Sequence, residues 1–97
     1  MPKTREEIAN EYRELEKRNR IVDEKIISFL QANEDKMFTI KELASEVDKE
    51  LIEKGFGKMD FFDVMDIVIR AIFGLRLDRK IEASKSVDDT LYIGIKK

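Results

Sequence analysis

The chain has no cysteine and no histidine among its 97 residues. Without cysteine there is no disulfide, and without either residue the usual thiolate and imidazole metal sites are excluded. Cysteine nucleophiles and histidine acid–base catalysis go with them. Long apolar runs are also missing, and none approaches the ~20 residues a membrane span needs. The opening "MPKTREE" is charged and lacks the apolar core of a signal peptide. The expected compartment is therefore the cytoplasm. Charge of one sign is missing too: 19 basic residues stand against 21 acidic ones, for a net charge of −2. A nucleic-acid binder needs a basic face rather than a basic sum, so the distribution of charge matters more than the total.

What is present suits one domain. Apolar residues make up 42% of the chain, enough for a modest core, and charged residues make up 41%. Thr4 with Glu7 has the spacing of a capping box, which starts a helix near Arg5. Ile8, Leu15, Val22 and Phe29 recur every seven residues, with Tyr12, Asn19 and Ile26 four after the first three. This is a heptad seam with Asn19 in an a-like position. The apolar stripe is narrow up to Arg20 and widens from Ile21, as for an arm that enters a core. Residues 5–33 are read as one long helix, or as two with a bend near Asn19–Arg20. Residues 1–20 form the N-terminal arm and 21–97 the domain.

A polar turn, "NEDKMF", leads to a short extended piece at Met37–Phe38. Thr39 with Glu42 repeats the capping-box spacing and predicts a helix from Ile40 to Lys54, with Leu43, Ala44, Val47, Leu51 and Ile52 inward. Gly55 and Gly57 end it. Asp60 caps a third helix from Phe61 to Leu77. Alternating "IEAS" and "TLYIGI" around "SVDD" predict a hairpin of Ile81–Ser84 with Leu91–Ile95. The fold class is mainly α with a small β-hairpin, an α+β chain.

In this order of elements, "FTIKELASEV" and "LDRKIEAS…TLYIGI" carry a resemblance to the winged-helix family that covers Ile21 to Ile95. The resemblance implies that helix three is the element that enters a DNA major groove and that the hairpin is a wing touching backbone. It equally admits the members that act as protein-contact modules, among them small subunits binding SMC-type and other ATPases. The implied core comprises Phe62, Met65, Val68, Ile69 and Ile72 on helix three, the most buried helix. With them go Val22, Ile26, Phe29, Leu30, Leu43, Val47, Leu51, Ile81, Leu91 and Ile93. A surface-exposed Ile69 would contradict that topology.

The residues of helix three fit DNA poorly. Asp63, Asp66 and Arg70 share one face, and aspartates there meet phosphate repulsion. The wing tip offers Lys85 but also Asp88 and Asp89. Basic residues gather instead at Arg76, Arg79 and Lys80, and on the arm at Arg13, Lys17, Arg18 and Arg20. Helix three is otherwise apolar nearly all round, more than a small core covers. The N-terminal helix folding back, or a partner chain, would cover the surplus.

Two function classes follow. The first is a non-enzymatic interaction or adaptor subunit in a nucleic-acid-associated complex. It would contact its partner, or its own copy in a homodimer, through Ile8, Tyr12, Leu15, Asn19, Phe61, Asp63 and Asp66. In a parallel dimer Arg18 and Asp23 fall at g and e positions, where unlike charges pair, although Glu11 would face Glu16. The second is a dimeric DNA-binding regulator with backbone contacts through Arg70, Arg76, Arg79, Lys80 and Lys85. No enzyme, metal, cofactor, membrane or small-molecule substrate is expected. "GFGK" lacks the spacing of a phosphate loop, and Asp63 with Asp66 are too few ligands for a hard metal ion.

Overall fold

The computed structural model describes residues 1–97. Three helices come first: α1 (Arg5–Ala32), α2 (Ile40–Glu53) and α3 (Phe61–Leu77). Two strands follow, β1 (Ile81–Lys85) and β2 (Leu91–Ile95), paired antiparallel with Ile81 opposite Ile95 and Lys85 opposite Leu91. Phe38 adds a one-residue bridge to Ile93, closed by reciprocal hydrogen bonds of 2.8 and 2.7 Å. The expected extended piece is thus the rudiment of a third strand on the outer edge of β2. Gly94 permits this approach. A Cβ there would lie 3.1 Å from Met37 Cγ.

Local chemistry sets the element ends. Thr39 Oγ1 accepts from the Glu42 N–H, and the Glu42 carboxylate accepts from the Thr39 N–H at 2.9 Å, a complete capping box. At α1 only half of the box forms, with Thr4 accepting from the Glu7 N–H. Asp60 caps α3 by accepting from the Phe62 N–H at 2.9 Å. Gly55, at φ 88°, takes the left-handed turn that stops α2.

α1 is a single helix of 28 residues with no break at Asn19 or Arg20. Its first ten residues or so leave the body. The molecule extends 51 Å along one axis and 24–26 Å along the others, and its radius of gyration is 15.0 Å. A compact chain of this size reaches about 13 Å. The arm therefore projects from the body, and only its last turns, at Leu15, Arg18 and Asn19, line a groove with α3.

The core joins all three helices to the hairpin. It consists of Val22, Ile26, Leu30, Leu43, Ala44, Val47, Leu51, Val64, Val68, Ile72, Leu75, Ile81 and Ile93. Phe29, Met65 and Leu91 pack on it half-buried, and Phe29 stacks at a tilt on Phe38 with ring centres 4.7 Å apart.

Several sequence expectations need correction. Ile69, whose burial the expected topology required, is exposed, and so is Phe62. The order of elements stands, but α3 is rotated about its axis so that Val64, Val68, Ile72 and Leu75 point inward instead. A helix apolar on nearly every side has no pattern to fix its rotation. Nor is α3 the most buried helix: α2 buries four of 14 residues and α3 four of 17. Ile52 of α2, expected inward, is exposed at the last turn.

Candidate interaction surface

The inward set of α3 leaves an outward set on the opposite side. A helix turns about 100° per residue. Phe62, Asp66, Ile69, Phe73 and Leu77 therefore line up along one stripe. Their exposures confirm the placement: Phe62 79%, Ile69 46%, Phe73 66% and Leu77 72%. Two phenylalanines, an isoleucine and a leucine thus stand in solvent along the full length of one helix. Most of this stripe was missed in the sequence. The signal was there, since the side opposite Asp66 and Arg70 is the side of Val64, Val68 and Leu75.

Polar residues edge the stripe. Asp63 and Asp66 lie toward the N-terminal end, both exposed. Arg70 forms an ion pair with Asp66 at 3.1 Å, i,i+4 and in solvent, and Arg76 lies further on. Phe61 turns the other way and packs half-buried on the core.

The second apolar surface is on the arm. Ile8, Tyr12 and Leu15 are 41%, 62% and 40% exposed, and Asn19 is exposed beside them. These residues continue the helix face that, one turn later, buries Val22, Ile26 and Leu30. The seam is thus the same face of α1 where it has run out of body to cover it.

Between the two surfaces lies a groove of about 260 Å³, lined by Leu15, Arg18, Asn19, Val22 and Asp23 of α1 and by Ile67, Arg70, Ala71 and Gly74 of α3. Ala71 and Gly74 carry little or no side chain, and a Cβ at Gly74 would meet nothing within 4 Å, so the groove stays open there. Arg18 is partly buried, and its Nε makes no hydrogen bond within the chain. Burial pushes the Asp23 carboxyl above its ordinary value of 3.8, while the Lys80 charge pulls it down and Asp78 and Glu24 push it up. Arg18 and Asp23, the pair a parallel coiled coil would use, are both turned toward α3.

The basic residues divide into separate places. Arg76 and Arg79 meet Lys96 at the base of the hairpin, with Lys80 next to them. Lys85 ends β1 at the far tip. That tip is organised by Asp88, which accepts from the Ser86 hydroxyl and from the Thr90 N–H at 3.1 Å. These bonds, the Ser86 one foremost, hold the Asp88 carboxyl below its ordinary value, so the tip keeps its negative charge.

No three His, Cys, Asp or Glu side chains gather as a metal site, and no helix is long and apolar enough to cross a membrane. No family model, curated protein or solved structure matches the chain.

Proposed function

We propose that this chain is a winged-helix module whose work is protein contact, an adaptor or small subunit without catalytic activity, acting in a nucleic-acid-associated complex. The order helix, bridge residue, helix, helix, hairpin supports the winged-helix reading, and so does the pairing of Phe38 with β2, which puts β2 between Phe38 and β1. The observation that carries the function is the outward stripe of α3. In a DNA-reading winged helix that face meets base edges and phosphates through Arg, Lys, Asn, Gln or Ser. Here it offers Phe62, Ile69, Phe73 and Leu77, flanked by Asp63 and Asp66. Apolar side chains in such number lose free energy in water and regain it against another apolar surface. The acidic wing tip, Asp88 and Asp89, fits the same reading.

A second reading, a DNA-binding regulator, draws on the cluster of Arg76, Arg79, Lys80 and Lys96 at the hairpin base. Those residues suit phosphate contact without base readout. Fluorescence anisotropy with mixed-sequence duplex DNA separates the two. The module reading expects weak, sequence-blind binding that falls steeply with salt. A complex near 10⁻⁸ M or tighter at ~0.15 M salt, selective for one sequence, would refute it.

A further inference from the structure

We propose that the open edge of β1 takes an extended acidic segment of another protein as an added strand, with its carboxylates on Arg76, Arg79 and Lys96. The surface lies beyond the α3 stripe, and only the choice of a protein as partner rests on the contact-module reading.

The register of the hairpin decides which backbone groups are free. The Lys96 N–H donates to the Lys80 carbonyl and the Ser86 N–H to the Thr90 carbonyl, at 3.2 and 3.0 Å. Hydrogen-bonded pairs alternate along an antiparallel ladder, so the bonded pairs between these two are Glu82 with Gly94 and Ser84 with Tyr92. The N–H and C=O groups of Ala83 and Lys85 therefore point away from β2. The bridge at Phe38 agrees, because Ile93, which lies opposite Ala83, points its own two groups the other way, to Phe38. No strand lies beyond β1, and the outward groups of Ala83 and Lys85 make no hydrogen bond within the chain. Ile81 faces the same way but is buried, so the usable edge runs from the half-buried Ala83 to the exposed Lys85.

Charge says what kind of strand fits. At the foot of this edge is a recess of about 330 Å³, lined by Arg76, Arg79, Ile81, Glu82, Ala83 and Lys96. Three cations stand there against one carboxylate, and all three are exposed. None of them has an ion-pair partner in the chain, whose ion pairs are Lys3 with Glu11, Lys49 with Glu46 and Arg70 with Asp66. The C-terminal end of α3 favours cations in its own right, which accounts for Arg76 and Arg79. It does not account for Lys96, which follows β2, or for Lys85 on the edge itself.

A phosphate backbone meets the same charge but fits the edge worse. Phosphate oxygens only accept hydrogen bonds, so they would face the outward carbonyls of Ala83 and Lys85 with repulsion. A peptide strand brings donors and acceptors in alternation and satisfies both. A second β1 fits worse again. Antiparallel pairing about Ala83 sets each Lys85 beside the other copy's recess, cation against cation.

The probe is a short labelled peptide of alternating valine and glutamate. Beside it go its valine–lysine counterpart, two acidic copies N-methylated at every second residue in either phase, and mixed-sequence DNA. The acidic peptide should bind and the basic one should not. Amide exchange at Ala83 and Lys85 should slow on binding, while Glu82 and Ser84, already paired, change little. One phase of N-methylation should abolish binding and the other spare it. Arg76→Ala with Arg79→Gly should weaken binding about tenfold or more, as the loss of hydrogen bonds to charged groups does. Glycine suits Arg79 because the backbone there is left-handed, at φ 59°. Ala83→Pro removes an N–H that the ladder does not use, so it should keep the fold and lose the peptide. Should that variant fail to fold, the N-methylated peptides carry the backbone test alone. No binding of the acidic peptide, equal binding of both peptides, or indifference to N-methylation each overturns the proposal. A recess that binds DNA and not the peptide overturns it too, and makes phosphate the ligand. The contact-module reading fails separately, on tight sequence-selective DNA binding, so the two failures stay distinct.

Discussion

α2 and α3 are neighbours in the chain, similar in length, each capped by a side chain at its N-terminus, and each buries four side chains. Their outer faces are opposite in kind. α2 shows solvent Lys41, Glu42, Ser45 and Lys49, with only Ile52 as a large apolar residue, while α3 shows Phe62, Ile69, Phe73 and Leu77. Folding the domain needs one apolar face per helix, and α2 demonstrates that one suffices here. The second apolar face of α3 contributes nothing to this core. Its cost is a large apolar patch in water, which single soluble chains rarely carry. The contrast separates residues that build the core from apolar residues that stand outside it, within one small domain.

The sharpest test of that separation is truncation. Leu43→Ala in α2 and Ile72→Ala in α3 each remove a buried side chain and should cost about 2–5 kcal/mol in urea unfolding. Ile69→Ala, three positions from Ile72, should cost under about 1 kcal/mol in the monomer. Equal losses at Ile69 and Ile72 would mean that α3 has no free face, and the comparison would collapse.

The caps come next, because they test whether the two helices are equally well specified. Thr39→Ala removes a complete capping box, and Asp60→Ala removes a single side-chain cap. Each should cost about 1 kcal/mol, with the larger loss at Thr39, where two bonds go. Thermal unfolding should register that as a fall of about 4–8 °C in Tm for a domain of this size. A silent Asp60→Ala would show that α3 is held in place by packing alone.

These caps were legible in the sequence because they depend on residues three apart. So were the seven-residue rhythm of α1, the glycine stop after α2 and the alternating hairpin. The rotation of α3 was not, since Phe61, Phe62, Val64, Met65, Val68 and Ile69 leave no polar side long enough to fix a phase. Only Asp63, Asp66 and Arg70 mark the outside, and tertiary packing against α1 and α2 decides the rest. The arm was legible as a seam, whereas its projection from the body depends on where the body ends, which no local pattern records. The basic residues were legible as clusters in sequence, but their separation into hairpin base and hairpin tip comes from the fold.

On the outer face of α3, Phe73→Ser should leave monomer stability within about 0.5 kcal/mol of wild type, as surface changes do. At high protein concentration it should raise solubility. A clear loss of stability in the dilute monomer would return Phe73 to the core and weaken the contrast with α2.

The smallest expected effect lies at Asp23, where α1 passes from body to arm. Burial raises its carboxyl above 3.8, and Asp78 and Glu24 add to the rise while Lys80 opposes it. A carboxyl with a raised folded value binds its proton more tightly in the fold than in the unfolded chain. Its relative contribution to stability is therefore greatest below about pH 4, the unfolded value, and declines as pH rises through the folded value. Above that it stays low. Asp23→Asn removes the titration, so the variant should gain on wild type between acid and neutral pH. The gain should be about half a kcal/mol or less, because the group is largely open to solvent screening. Lys80→Ala should move the other way, raising the Asp23 value further and weakening the chain at neutral pH. Carboxyl titration by NMR reads the first quantity and urea unfolding at several pH values reads the second. An Asp23 that titrates below 3.8 would mean that Lys80 outweighs burial and that the groove is open to water. The α1–α3 contact would then be looser than the rest of the core.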